Sequence, residues 1–130
     1  MMKEVSAAII VENDKVLLTR RAPDEKLAGY WEFPGGKREE NETIEECLVR
    51  ELFEELSIEV EALETLGSSE YSHNGNLIKL IGIQAAIKSG DIILSVHDIY
   101  EWVPIPNLMS FKLAPADISL AKLLQDKYDV

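Results

Sequence analysis

The chain has 130 residues, with 24 acidic and 13 basic side chains and a formal net charge of −11, which makes it a poor non-specific binder of DNA, RNA or an anionic membrane. Hydrophobic residues make up 46% and charged residues 28%, the balance of one globular domain over residues 1–130 rather than of a disordered segment. An anionic substrate needs a cation between itself and so acidic a protein, which points to a divalent metal.

Near the N-terminus the longest apolar run is "AAIIV", too short for a membrane span or the core of a signal peptide, so a cytoplasmic protein is expected. "VSAAIIV" and "KVLLTR" are β-rich and joined by "ENDK", a hairpin with Asn13-Asp14 at its tip. "RAPDEKLAGY" is a polar loop, "WEF" a short strand ending at Pro34, and "PGGKREENE" a glycine-containing loop. "TIEE" matches a capping box, with Thr43 as N-cap and Glu46 three residues on, so a helix is predicted from Ile44 to about Leu56. "EALETLGSSEYSH" and "NLIKLIGIQAAIK" read as strands about the turn "HNGN". "DIILSVHDIYEWVPI" supplies another strand or two, broken by Pro104 and Pro106. "APADISLAKLLQDKY" places Leu120, Leu123 and Leu124 at helical spacing. The order β-β-β-α-β-β-β-α predicts an α+β domain, a mixed sheet between helices. The one cysteine, Cys47, cannot form an intrachain disulfide and reads as a small, semi-buried packing residue rather than a nucleophile.

The first helix carries the chemistry. From Glu39 to Glu64 there are eleven glutamates and one basic residue, Arg50, whereas a solvated helix face normally alternates its signs. With Ile44 at 0°, Leu48, Val49, Leu52, Phe53 and Leu56 fall between roughly 40° and 180°, the face expected to pack on the core. Glu51, Glu54 and Glu55 gather between roughly 280° and 20°, at the border of that face. Such a patch is either a solvated acidic face or a site for a hard cation such as Mg²⁺, which takes a few carboxylate oxygens and keeps several waters. The glycine loop leading in and the missing lysines favour the cation.

The segment resembles the Nudix box of hydrolases that act on nucleoside diphosphates linked to another group. Gly36, Glu42, Arg50-Glu51, Leu52, Glu54-Glu55 and Ile58 stand at the spacing of that motif, so eight of its nine fixed positions match. Ser57 departs, standing where the motif has the glycine that ends the helix in a left-handed conformation, at a cost of about 1–2 kcal/mol if that geometry is kept. "LLTRRAPDEKLAGYWEFPGGK", "YEWVPIPNL" and "LAPAD" are similar to the MutT subfamily on both sides of the box. The resemblance implies the Nudix fold and hydrolysis of a nucleoside triphosphate to a monophosphate and pyrophosphate.

It also implies roles. Glu54 and Glu55 would hold Mg²⁺ (or Mn²⁺) with the Gly35 carbonyl, and Glu51 would be a further ligand or the base. Arg50 would orient Glu51 and stabilise charge. Some relatives carry a late-strand carboxylate shortly before the tryptophan that corresponds to Trp102. Here the aligned residue is Val96, Asp98 and His97 fit only with a shifted register, and His97 reads as a surface strand residue; Glu51 is therefore the preferred base. Around the nucleotide, Arg21 would reach phosphates or base, or is an edge-strand charge. Phe33 would line the base pocket, or is core. Ile78 would add apolar lining, and the Asn76 backbone would touch the base edge. Asp117 would read the base, or is an acid favourable with the helix dipole. Trp31 and Trp102 read as packing residues. The leading substrate is 8-oxo-dGTP, in a pool-sanitising role, with CTP, dCTP or a modified pyrimidine nucleotide as the alternative. A non-catalytic nucleotide sensor and a structural Ca²⁺ module are disfavoured by the complete glutamate set and the absence of an EF-hand pattern. A monomer is expected, with a dimer as the alternative.

Overall fold

The structure is a computed structural model that describes residues 2–128. Its elements are β1 (Met2–Glu12), β2 (Lys15–Arg21), β3 (Trp31–Glu32), α1 (Ile44–Leu56), β4 (Glu59–His73), β5 (Asn76–Ser89), β6 (His97–Pro104) and α2 (Ile118–Lys127). Two short 3-10 turns, Ile105–Ser110 and Pro115–Asp117, link β6 to α2. The strands run in the order β3-β2-β1-β5-β4, with β6 along the other edge of β2. β1 is parallel to β5, and the other pairings are antiparallel, so the sheet is mixed as expected.

"AAIIV" is continuously apolar because the sheet is covered on both faces. Ala7 and Ile9 pack with Leu120, Ala121 and Leu124 of α2, while Ala8 and Ile10 pack with Leu48, Leu52 and Leu56 of α1. Successive side chains of one strand thus serve opposite layers, the two-residue period of a pleated strand. Both predicted hairpin turns are present. Asn13 and Asp14 have φ of 52° and 63°, and Asn74 and Gly75 have φ of 51° and 79°, the two positive values that a two-residue turn compatible with strand twist requires.

Helix α1 begins as predicted, with the Thr43 side chain accepting from the Glu46 N–H and the Glu46 carboxylate accepting from the Thr43 N–H. Its buried face is not the one the helical wheel suggests. Phe53, expected in the core, is 63% exposed, while Cys47 is fully buried. The covered arc is rotated away from Phe53 toward the glutamates because the segment 34–38 lies over that side of the helix. This segment runs along β1, with the Ala8 and Ser6 N–H groups donating to the Pro34 and Gly36 carbonyls and the Arg38 N–H donating to Glu4. A side chain at Gly35 would run into the Ser6 carbonyl, so that glycine is needed for the close approach, and one at Gly36 would meet the Glu51 carboxylate.

The stretch 91–96 forms no strand. It is tied to the end of α1 instead, the Ile93 N–H donating to the Leu56 carbonyl and the Ser95 hydroxyl to that of Glu55. Only β6 follows from the predicted "strand or two". At the end of α1, Ser57 does take the left-handed conformation, with φ 59° and ψ 28°, and its N–H caps the Phe53 carbonyl. Ser57→Gly should therefore raise the unfolding free energy by about 1 kcal/mol, because glycine bears no Cβ penalty there. A urea titration checks this, with a midpoint that moves upward at unchanged slope as the expected result.

Candidate active site

Arg50 answers the excess of like charge on α1. Its Nε and Nη2 bind the two oxygens of Glu42 at 3.1 and 2.8 Å, a two-pronged pairing, and its Nη1 reaches Glu51 at 3.1 Å and Glu54 at 3.0 Å. Nη2 also donates to the Lys37 carbonyl at 3.1 Å, which fastens the helix to the glycine segment. The Arg50 hydrogen bonds, helped by the Glu39 N–H, hold the Glu42 carboxyl at about 2. Glu42 matched the motif in sequence, but its partnership with Arg50 could be seen only in the fold.

The remaining carboxylates are less well served. Burial raises the proton affinity of Glu51, with Arg50 opposing. Glu55 is pushed up to about 8, first by burial and then by the charges of Glu51 and Glu32, with Arg21 opposing. Its Oε1 is buried without a hydrogen-bond partner. Among the described residues no three His, Cys, Asp or Glu side chains already stand in ligating geometry. The reason is visible, since Glu51 and Glu54 are turned onto Arg50. The donor set nevertheless fits a hard divalent cation, with Glu55 Oε1 buried and unsatisfied. The Gly35 carbonyl fits too: the neighbouring carbonyls of Pro34 and Gly36 point at β1, so strand alternation turns that of Gly35 the other way.

On the opposite face of the sheet, Asp117 is 6% exposed, and its Oδ2 accepts from the Phe33 N–H at 2.8 Å. It makes no capping bond to α2, so it is more than an acid at a helix start. Burial pushes its carboxyl up to about 7 against the pull of that N–H. Phe33 is buried in the layer under α2. Ile78 is buried on β5 opposite Tyr71 of β4, and Asn76 is exposed beside the turn, opposite His73. Arg21 is anchored within its own loop, its nitrogens donating to the Lys26 carbonyl, Glu32 and Glu25. Cys47 sits against Ser6 and the Gly36 carbonyl, and burial raises its thiol, as befits a packing residue. Trp31 packs edge-on against Phe111, and Trp102 packs in the layer under α1.

His97 is not the surface residue expected. It is 4% exposed, and its Nε2 lies 2.9 Å from Glu32 Oε2. An irregularity between Arg20 and Arg21 places His97 opposite Arg21 and turns it inward, while Asp98 pairs with Arg20 on the outside. Sequence reading passed over Glu32 altogether; its one signal was an acidic residue inside an otherwise aromatic strand.

The NUDIX domain family matches residues 2–126, and the chain belongs to that family of hydrolases. It is 39% identical to the CTP pyrophosphohydrolase of Escherichia coli (strain K12) over 119 residues, covering 92% of this chain and 88% of that protein. It is 41% identical to the 8-oxo-dGTP diphosphatase of the same organism over 73 residues, covering 54% of this chain and 57% of that protein. Among solved structures, the E. coli ORF135 protein superposes with a TM-score of 0.86 at 36% identity, covering 96% of this chain and 89% of that one. The MutT protein of Methanosarcina mazei Go1 superposes at 0.84 with 25% identity, covering 98% and 95%. The protein is thus a MutT-like Nudix pyrophosphohydrolase, of a family that uses divalent metal ions and acts on nucleotides. None of its described helices is long and apolar enough to cross a membrane.

The buried Asp117 gives a stability prediction. Its carboxyl titrates at about 7 in the folded protein against 3.8 ordinarily, so the folded state binds the proton more tightly. That contribution is fully present below about pH 4 and is lost as pH rises toward 7. Asp117→Asn, which keeps an acceptor for the Phe33 N–H, should gain in melting temperature relative to the wild type as pH rises from 4 to 8. Paired thermal melts across that range check the sign.

Proposed function

We propose that the protein is a Mg²⁺-dependent nucleoside triphosphate pyrophosphohydrolase with a cytosine nucleotide, CTP or dCTP, as its preferred substrate. The observation that carries the base assignment is the buried carboxyl of Asp117. Ionised, a carboxylate only accepts hydrogen bonds and fits the paired N1–H and 2-amino donors of guanine. Held protonated up to about 7, it offers one donor and one acceptor, the complement of the cytosine N3 acceptor and 4-amino donor. The likeness to a CTP pyrophosphohydrolase along 92% of the chain supports the same reading. The second reading is 8-oxo-dGTP, supported by the relatives named as its diphosphatases and by the acceptor that an ionised Asp117 would present.

Hydrolysis of a phosphoanhydride requires neutralised phosphates, an aimed water and a stabilised leaving group. Glu54, Glu55 and Glu51, with the Gly35 carbonyl, are the groups that would hold the metal, which supplies charge neutralisation when bound. Mn²⁺ can substitute, being another hard cation. Arg50 holds Glu51 and Glu54 in place and adds positive charge. Glu51, half-buried beside Gly36 and raised in proton affinity, is the proposed base. Arg21, Phe33, Ile78 and the Asn76 backbone are the proposed nucleotide contacts beside Asp117; the Arg21 contact would require its loop hydrogen bonds to be exchanged for phosphate.

Two measurements test this. Glu54→Gln should fold normally and lower turnover by at least about 100-fold, the scale of losing a key charge-stabilising interaction; near-normal turnover at limiting Mg²⁺ counts against the metal role. A panel of CTP, dCTP, dGTP and 8-oxo-dGTP, assayed for monophosphate and pyrophosphate, decides the base. If protonated Asp117 reads cytosine, kcat/KM for CTP or dCTP should fall relative to the guanine substrates as pH rises through about 7. A ratio moving the other way, with 8-oxo-dGTP preferred, selects the second reading.

A further inference from the structure

The glutamates of α1 have a counterpart on the sheet. β2 lies between β3 and β6, and Thr19 and Arg21, two residues apart, share the face of β2 that carries Leu17 toward α1. Glu32 of β3 stands opposite Thr19, and His97 of β6 stands opposite Arg21. Glu32 Oε2 is held by two nitrogens, His97 Nε2 at 2.9 Å and Arg21 Nη1 at 3.4 Å. Glu32 Oε1 accepts no hydrogen bond among those found for the described residues. His97 Nδ1 is buried with no partner, so Glu32 is the ring's one polar contact. A buried imidazole with an unpaired nitrogen is costly, and an aliphatic side chain would fill a strand position at lower cost. Packing alone therefore does not explain His97.

Helix α1 is tied to the start of this strand, since the Ser95 hydroxyl, two residues before His97, donates to the Glu55 carbonyl, and the Glu55 side chain has its own buried oxygen without a partner among the described residues. Arg21, which donates to Glu32, shares its other donors with Glu25 and the Lys26 carbonyl. Two carboxylates on different elements of the layer between the sheet and α1, each with a free oxygen, suit an ion that is partly hydrated.

We propose that Glu32 is a further oxygen donor of the metal site, one that would accept hydrogen bonds from the hydration shell of the divalent ion, and that His97 is the residue that positions it. The inference rests on the divalent-metal reading above. Partners in the shell around a metal's direct ligands typically govern affinity by about 10- to 100-fold.

The test is Mn²⁺ binding without nucleotide, read from the electron paramagnetic resonance signal of the free ion. Glu32→Gln should weaken binding by about 10-fold or more. His97→Leu should weaken it in the same direction, and His97→Gln, which keeps an N–H donor, should restore most of the loss. Urea melts without metal establish that each variant is folded; should Glu32→Gln not fold, Glu32→Asp, which shortens the arm, is read in its place with the same expectation. A folded Glu32 variant that binds Mn²⁺ as the wild type does overturns the proposal. A His97→Leu protein that loses stability but not Mn²⁺ affinity reduces His97 to a packing residue. Glu55→Gln separates the two levels: if it weakens binding while Glu32→Gln does not, only this inference fails, and if neither does, the metal reading itself fails.

Discussion

The site depends on one guanidinium. Arg50 spans Glu42, Glu51, Glu54 and the Lys37 carbonyl, and so ties three carboxylates of an acidic segment to the glycine strand that covers it. Its fixed fork of donors lets a single side chain do this where a lysine would meet one or two partners. Two consequences follow. The repulsion among the glutamates is met locally, so α1 can form despite its charge. Glu55 is left out of the network, with its Oε1 buried and without a partner among the described residues, which keeps an unmet demand for positive charge where the sheet and the helix meet.

The second constraint is the pleat of β3 and the segment after it. Glu32 turns toward α1, and Phe33, the next residue, packs under α2, where its N–H is bound by Asp117. The acidic end and the Asp117 end of the molecule are thus separated by one step of backbone. Gly35 and Gly36 continue the same segment across β1 and bring the Glu51 carboxylate against backbone with no side chain between. The stretch "WEFPGG" organises both ends.

Where this chain departs from the motif, the fold absorbs the change. Ser57 keeps the left-handed geometry of a glycine at the end of α1, so the departure costs stability without displacing the glutamates. The carbonyl of Val96 anchors the loop after β2 through the Ala22 N–H. The next residue, His97, turns inward to Glu32.

Sequence by itself determined the features that rest on local rules. The Asn-Asp and Asn-Gly turns, the Thr43 capping box, the span of α1 and the spacing of its glutamates all depend on neighbours within a few residues, so their chemistry is readable along the chain. The burial of Leu48, Leu52 and Leu56 was legible for the same reason. Tertiary structure decided what depends on elements distant in the chain. Which side of α1 is covered was set by the 34–38 segment, so Cys47 was buried and Phe53 left in solvent. The inward turn of His97 followed from an irregularity in the pairing of β2 with β6, and no periodicity in "SVHDIYEW" announces it. The proton affinity of Asp117 comes from burial beneath a layer assembled from three parts of the chain, and a carboxyl in an exposed loop with the same sequence would carry no such shift.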